Sequence, residues 1–237
     1  MTPRVDLTTL DAQPLELREV CARYFKKDVL HGVTLAVGRG EIVALLGGNG
    51  SGKSTVLKTI SGLLPPYTGS IWLGGSDITK ADVHSRQQAG ISHLLQGGRI
   101  FPALTVEENL DVALQHRRRP CQHPFKLGTY FSQLTGFRRT RAGLLSGGVR
   151  QMLALEMILC QEPKYALLDE PSAGIASSIV RELFAAIQLM AKSTGMGILL
   201  VEQNIEEAKR IADYIIRLEH GAIIGIEQLH LHKGVKQ

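Results

Sequence analysis

Aromatic residues are scarce in this chain, 5% of 237 positions with a single tryptophan, and no rings interleave with its basic clusters. Without such stacking platforms the clusters lack the pattern of a single-strand nucleic-acid binder. Arg117-Arg118-Arg119 and Arg138-Arg139 with Arg141 therefore read as solvated faces, with acidic lipid head groups or a membrane partner as the sharper alternative. No nucleic-acid partner is expected. Cysteine is equally sparse: Cys21, Cys121 and Cys160 are odd in number and widely scattered, which excludes a disulfide framework and suits a reducing compartment. Cys121 with His123 falls short of the four ligands that a structural zinc requires. Long apolar runs are missing too. None approaches the roughly 20 residues of a spanning helix, so any membrane role must come through partners. Met1 to Gln13 has no basic-then-apolar order, so no secretory signal is read there and the chain is expected in the cytosol.

What the chain does contain is 44% apolar residues at a net charge of +5, a balance typical of a globular protein. Its length suits one core domain, residues 1–237, carrying an inserted lobe. From Leu15 to Val37 the alternation suggests short strands broken by turns. Glu41 to Leu46 is a continuous apolar run of the doubly buried kind, followed by a glycine-rich turn and the helix-compatible stretch Lys53 to Ile60. Two more buried strands, Tyr165 to Leu168 and Gly197 to Val201, are joined by a helix whose apolar face is Ile179, Leu183, Ala186, Ile187 and Met190. Strand, helix and strand in succession imply a right-handed crossover and a parallel sheet. Ligands of such sheets sit beyond the carboxyl ends of the strands, where Asp169-Glu170 and Glu202-Gln203-Asn204 fall. Residues 97–160 lack strand patterning. Helices at Val106 to His116 and Arg150 to Leu159, the first opened by a capping box in Thr105 to Glu108, make that segment an inserted helical lobe. Gly221 to Gln237 reads as a last hairpin strand and a loose end.

Gly47-Gly48-Asn49-Gly50-Ser51-Gly52-Lys53-Ser54-Thr55 fits G-x-x-x-x-G-K-[ST]. In that pattern backbone N–H groups wrap phosphates, the lysine reaches the β and γ phosphates, and the hydroxyl binds magnesium. Lys53 and Ser54 take the last two roles, and the following helix turns its positive end toward the site. Asp169 ends a buried strand, where a carboxylate is costly unless it meets a cation; the magnesium on Ser54 supplies one. Glu170 then stands ready to orient or deprotonate a water. Leu145-Ser146-Gly147-Gly148-Val149-Arg150-Gln151 places a serine and two glycines before a helix, a second anion-binding terminus, and one ATP cannot easily occupy both.

With these three elements the sequence resembles the ABC ATPase family over almost its whole length. The resemblance implies an α/β P-loop NTPase with a RecA-like parallel-sheet core, an N-terminal antiparallel β subdomain and an inserted helical subdomain. It implies ATP and Mg²⁺ as cofactors and a head-to-tail pair in which Ser146, Gly147 and Gly148 of one chain close on ATP held by the other. It further assigns Gln96 to a loop that touches magnesium and couples to a transmembrane permease, and Tyr24 to a place under adenine, with a strand tyrosine as the plain alternative. Gln203 stands where the family's switch histidine is usual, a neutral amide that donates but cannot become cationic. Ser172 to Ala176 replaces a usual aspartate segment. Both departures, and Ile100 to Leu110, resemble the subgroup that powers import of branched-chain amino acids or of urea and amides, although Met157 and Ser177 depart from it. An ATPase at the cytoplasmic face of the inner or plasma membrane is implied, peripheral to permease subunits, paired with a related chain or second copy and served indirectly by a solute-binding protein. A soluble ABC ATPase outside transport is the alternative.

Overall fold

The computed structural model describes residues 13–115 and 127–229, apart from the side chains of Ser177 and Ser178. The readings on residues 1–12, on His116 as a helix end, on Arg117 to Arg119, Cys121 and His123, and on the chain beyond residue 229 lie outside the described residues. The first half runs β1 (Leu15–Tyr24), β2 (Lys27–Val37), β3 (Ile42–Leu46), α1 (Lys53–Ile60), β4 (Thr68–Leu73), β5 (Ser76–Asp77), α2 (Val83–Ala89) and β6 (Ile91–Leu94). The second runs α3 (Val106–Gln115), α4 (Gly147–Leu159), β7 (Tyr165–Asp169), α5 (Ser177–Thr194), β8 (Gly197–Val201), α6 (Ile205–Ile211), β9 (Tyr214–Glu219) and β10 (Ala222–Gln228). Among the described residues, two short 3₁₀ turns, Ser132–Phe137 and Ala142–Leu144, lie between α3 and α4.

The strands form two sheets, one ordered β2-β1-β4-β5 and antiparallel, the other β10-β9-β3-β8-β7-β6. In the larger sheet β3 pairs in parallel with β8 and β9, and β7 with β8 and β6, while β10 closes the edge antiparallel to β9. Every residue of β3, β7 and β8 is buried, which is why they read as unbroken apolar runs. Successive side chains still go to opposite faces. Ala44, Leu168, Ile198 and Leu200 join one core with α4 and α5, and Val43, Leu45, Leu167 and Leu199 join another with α1 and the first sheet.

The structure corrects two readings. Leu15 to Val37 is a pair of long strands rather than a series of short ones. The β1–β2 register slips between Leu17 and Val20, Val20 and Ala22, and Ala22 and Arg23, with Glu19 at φ 52°; these bulges interrupt the period-two pattern without ending the strand. Helix α4 starts at Gly147, three residues before the expected Arg150, because Ser146 caps it: its Oγ accepts from Val149 N at 3.4 Å. The capping box forms, with Thr105 N and Oγ1 both donating to Glu108 Oε2 and Glu108 N donating to Thr105 Oγ1.

Arg86 of α2, 1% exposed, fixes the end of α1. It donates to the carbonyls of Thr59 and Ile60 in the last turn of α1, and to those of Thr79 and Ala81. Between β6 and β7, Glu107 of α3 pairs with Arg138, so that arginine is anchored to the lobe rather than only solvated.

Two buried titratable groups oppose each other in their effect on stability. Burial pushes Glu156 of α4 up from 4.5 to about 7, against the lowering pull of backbone N–H groups from Gly128 onward. Burial, with Lys58 beside it, pushes His93 of β6 down from 6.5 to about 4, where its Nδ1 lies 3.1 Å from Ser61 Oγ. On acidification Glu156 gains its proton first in the folded chain, so falling pH stabilises the fold through it. His93 is protonated first in the unfolded chain, so falling pH destabilises the fold through it. Between about pH 4.5 and 6.5 the two slopes offset each other. We expect Glu156→Gln to unmask the histidine slope, so that the urea midpoint falls more steeply from pH 6.5 to 5 than in the parent chain; equal slopes would contradict the balance.

Candidate active site

The loop between β3 and α1 is held from three sides. Gly47 lies so close to β9 that a Cβ there would come within 2.2 Å of the Leu218 carbonyl. Gly221, in the turn between β9 and β10, donates its N–H to Ser51 O at 2.9 Å and accepts from His31 N of β2 at 2.9 Å, and a Cβ there would meet Val29 O at 1.9 Å. Lys53 folds its Nζ onto the carbonyls of Gly47 at 2.7 Å and Gly48 at 2.9 Å. Gly48, Asn49 and Gly50 are exposed at the crest, and Cβ atoms at Gly48 or Gly50 would meet nothing within 4 Å. The cap of α1 is Gly52, which offers no side-chain acceptor, and no acid occupies the first turn with Ser54 and Thr55. Those N–H groups therefore favour an incoming anion. Ser51 Oγ is buried without a hydrogen-bond partner, a further polar atom of the loop suited to a ligand.

The parallel pairing sets Asp169 opposite Val201 and carries its carboxylate to α1, where Ser54 Oγ donates to Asp169 Oδ1 at 3.0 Å. Burial raises the Asp169 pKa, and although the Ser54 bond opposes this, the charge of Glu170 adds to it. A hydroxyl oxygen and a desolvated carboxylate oxygen suit a hard divalent cation such as Mg²⁺, which prefers one or two protein oxygens together with phosphates and water. No group of three or more His, Cys, Asp or Glu gathers for a metal among the described residues.

Glu170 sits in the left-handed region at φ 47°, while its N–H donates to Val201 O at 2.9 Å. Its carboxylate is held by two amides: Gln203 Nε2 donates to Oε1 at 2.6 Å and Gln96 Nε2 to Oε2 at 2.8 Å. A carboxylate only accepts, so both glutamines must present their NH₂ ends. The structure thus brings Gln96 to Glu170, beside the Asp169–Ser54 pair. Ser146 and Gly147 are exposed at the start of α4, and no hydrogen bond joins Ser146, Gly147 or Gly148 to the phosphate loop among the described residues. Tyr24 ends β1, 38% exposed, with Lys58 Nζ of α1 5.9 Å from its ring centre, which places the ring against the helix that follows the phosphate loop.

The family profile described as ABC transporter matches residues 30–173, more than half of the chain. The chain belongs to the ABC transporter family. Such membership makes it an ATP-hydrolysing enzyme. It is 37% identical over 212 residues to a high-affinity branched-chain amino acid transport ATP-binding protein of Pseudomonas aeruginosa, covering 89% of this chain and 91% of that one. It is 36% identical to a probable branched-chain amino acid transport ATP-binding protein of Archaeoglobus fulgidus, covering 85% and 86%. A dimeric ATP-binding cassette in a post-hydrolysis state bound to ADP and Pi superposes with TM-score 0.79 over 91% of this chain and 99% of that one at 23% identity, a likeness of fold alone.

Beside Arg86 and Glu156, a buried polar residue at the site itself has no role among those read from the sequence of this ABC ATPase. Glu202, 2% exposed, was seen only as part of a polar strand end. The signal was available, since a carboxylate continuing a buried strand is as costly there as at Asp169. Gln203 carries the other consequence. Because an amide does not titrate, Gln203 brings no ionisation of its own to the contact with Glu170. We expect Gln203→His to add to the ATPase pH profile an ionisation near the ordinary histidine value of about 6.5; a profile that keeps its parent shape would contradict a place for this side chain in the working site.

Proposed function

We propose that the chain is the ATP-hydrolysing subunit of a membrane importer, working at the cytoplasmic face of the membrane as one of two cassettes that meet head to tail. The observation that carries this reading is the Glu170 carboxylate, held by Gln96 and Gln203 next to the Ser54–Asp169 pair, at the carboxyl ends of adjacent parallel strands. Lys53 gives up its loop carbonyls to the β and γ phosphates of ATP, the loop N–H groups wrap the phosphates, and Tyr24 takes the adenine. With two amides bound, Glu170 still has a lone pair on each oxygen, enough to orient a water for in-line attack and take its proton. Mg²⁺, held by Ser54 and Asp169 with Gln96 assigned to it by the family resemblance, would supply Lewis-acid neutralisation of phosphate charge.

The exposed Ser146 and Gly147 supply the other half of the site. Among the described residues they make no hydrogen bond to the phosphate loop of their own chain, and in the pair they close on the neighbour's ATP. The lobe of residues 97–160, between β6 and β7, acts as a helical subdomain that carries this turn and, through the Gln96 loop, meets the permease. No helix among the described residues is long and apolar enough to cross a membrane, so attachment runs through those permease subunits. The partner cassette is a related chain or a second copy.

Branched-chain amino acids are the solute class, delivered by a solute-binding protein. The named relatives support this, as do the Glu202-Gln203-Asn204 and Ser172 to Ala176 stretches. Relatives for spermidine/putrescine and for thiamine, at 34% and 32% identity, set the alternatives. In the assembly purified with its permease, leucine with its binding protein should stimulate ATP turnover several-fold; stimulation by a polyamine or thiamine instead would move the solute assignment.

Assembly gives two sharper tests. Glu170→Gln, which keeps its shape but loses the base, should dimerise with MgATP in analytical ultracentrifugation, alone or with its related cassette; a species that stays monomeric in both conditions overturns the head-to-tail reading. Ser146→Arg should abolish turnover and leave nucleotide affinity within about twofold, because the turn serves the neighbour's site. Parallel loss of binding and turnover would place the turn elsewhere.

A further inference from the structure

The side chain of Glu202 lies one residue beyond β8, between the two loops that carry Glu170 and Gln203, and touches neither of those side chains. Four donors converge on it. Ser172 N donates to Oε1 at 2.9 Å, and Ser172 Oγ donates to Oε2 at 2.9 Å. Gln203 N and Asn204 N donate to the same Oε2 at 3.1 and 3.3 Å. A carboxylate 2% exposed is tolerated only when it is hydrogen-bonded, and here both oxygens accept, Oε1 from one donor and Oε2 from three. The donors are two pairs from separate segments. Ser172 belongs to the turn that leaves Glu170, while Gln203 and Asn204 begin the turn into α6. The first turn also leans on α4: a Cβ at Gly147 would approach Gly174 O to 3.6 Å, and one at Gly148 would meet Ile179 at 3.2 Å and Ile175 at 3.4 Å.

We infer that Glu202 is a positioning residue for hydrolysis, a buried clasp that holds the Gln203 turn against the turn after Glu170 and, through Gly174, keeps the latter seated on the start of α4. This rests on the ATPase reading above and adds a residue to it. A hydrogen bond as short as that from Gln203 Nε2 to Glu170 Oε1, 2.6 Å, joins side chains on two different loops. The β7–β8 ladder ends at Asp169 and Val201, with the Glu170 N–H still bonded to Val201 O; beyond that tie Glu202 supplies three more backbone ties, from Ser172 N, Gln203 N and Asn204 N. An amide cannot replace it. Glutamine has one acceptor oxygen and would turn its NH₂ toward at least one N–H donor. Aspartate, one methylene shorter, cannot reach Ser172 while it holds Gln203 N.

Because Glu202 acts through Gln203 and stands apart from the phosphate loop, its loss should fall on turnover and spare binding. In the full chain with MgATP, we expect Glu202→Gln to lower kcat by about tenfold or more while the nucleotide dissociation constant stays within about twofold. In a Gln203→Ala background the same change should cost less than about threefold, since residues that act as a unit are not additive. A folded Glu202→Gln with parental kcat overturns the inference. So does a loss that multiplies fully with Gln203→Ala, or one that appears equally in binding. Should Glu202→Gln not fold, Ser172→Ala removes a single donor and leaves the carboxylate. A drop of about threefold in kcat at constant affinity then supports the clasp, and an unchanged kcat removes it. Hydrogen exchange reads the same contact without turnover: in either variant the amides of Gln203 and Asn204 should exchange faster while those of the phosphate loop keep their protection. Unaltered exchange at both amides refutes the clasp, whereas a parent chain with normal protection but no ATPase refutes the enzymatic reading instead.

Discussion

The site depends first on the parallel pairing of β7 with β3's neighbour β8, the register that sets Asp169 beside Val201. Everything polar in the site leaves from the same end of adjacent buried strands, so one sheet fixes the relative heights of the phosphate loop, the two carboxylates and the glutamine turn. The strands can be fully apolar because both faces are covered, and the cost of ending them in Asp169, Glu170 and Glu202 is met locally by hydroxyl and amide donors. Stability and the proposed chemistry therefore share atoms: Ser54, Gln96 and Gln203, which hold Asp169 and Glu170, are the groups the proposed hydrolysis would use.

Much of this was legible in the sequence where the signal is contiguous. The phosphate loop, the Asp169-Glu170 pair and the Ser146 turn each announce themselves within a few residues, because an anion site is made of consecutive N–H groups and a strand end is marked by the break in an apolar run. Nothing local distinguishes Gln96 from any loop glutamine or Tyr24 from any strand tyrosine, so their places at magnesium and adenine rest on the family resemblance alone. The structure places the first on Glu170 and the second against α1.

What escaped the sequence is long-range or irregular. Glu202 looks like an ordinary polar strand end until Ser172, far back in the chain, is seen to turn toward it. The bulges of β1 around Glu19 disguise one strand as several, because an alternation read by eye resets at each extra residue. Helix α4 begins before Arg150 because the Ser146 cap draws both glycines into its first turn, where the missing side chain of Gly148 makes room for Ile175 and Ile179.

The tie between Ser51 and Gly221 has a bearing on biogenesis. The loop that receives the phosphates is braced by a turn that is synthesised only after β9, and by a β2 strand that anchors the same turn through His31. A growing chain on the ribosome cannot complete its nucleotide cradle until that late hairpin has emerged. The loop's final bracing is thus tied to the last hairpin of the chain, through the contacts of Gly221 with Ser51 and His31.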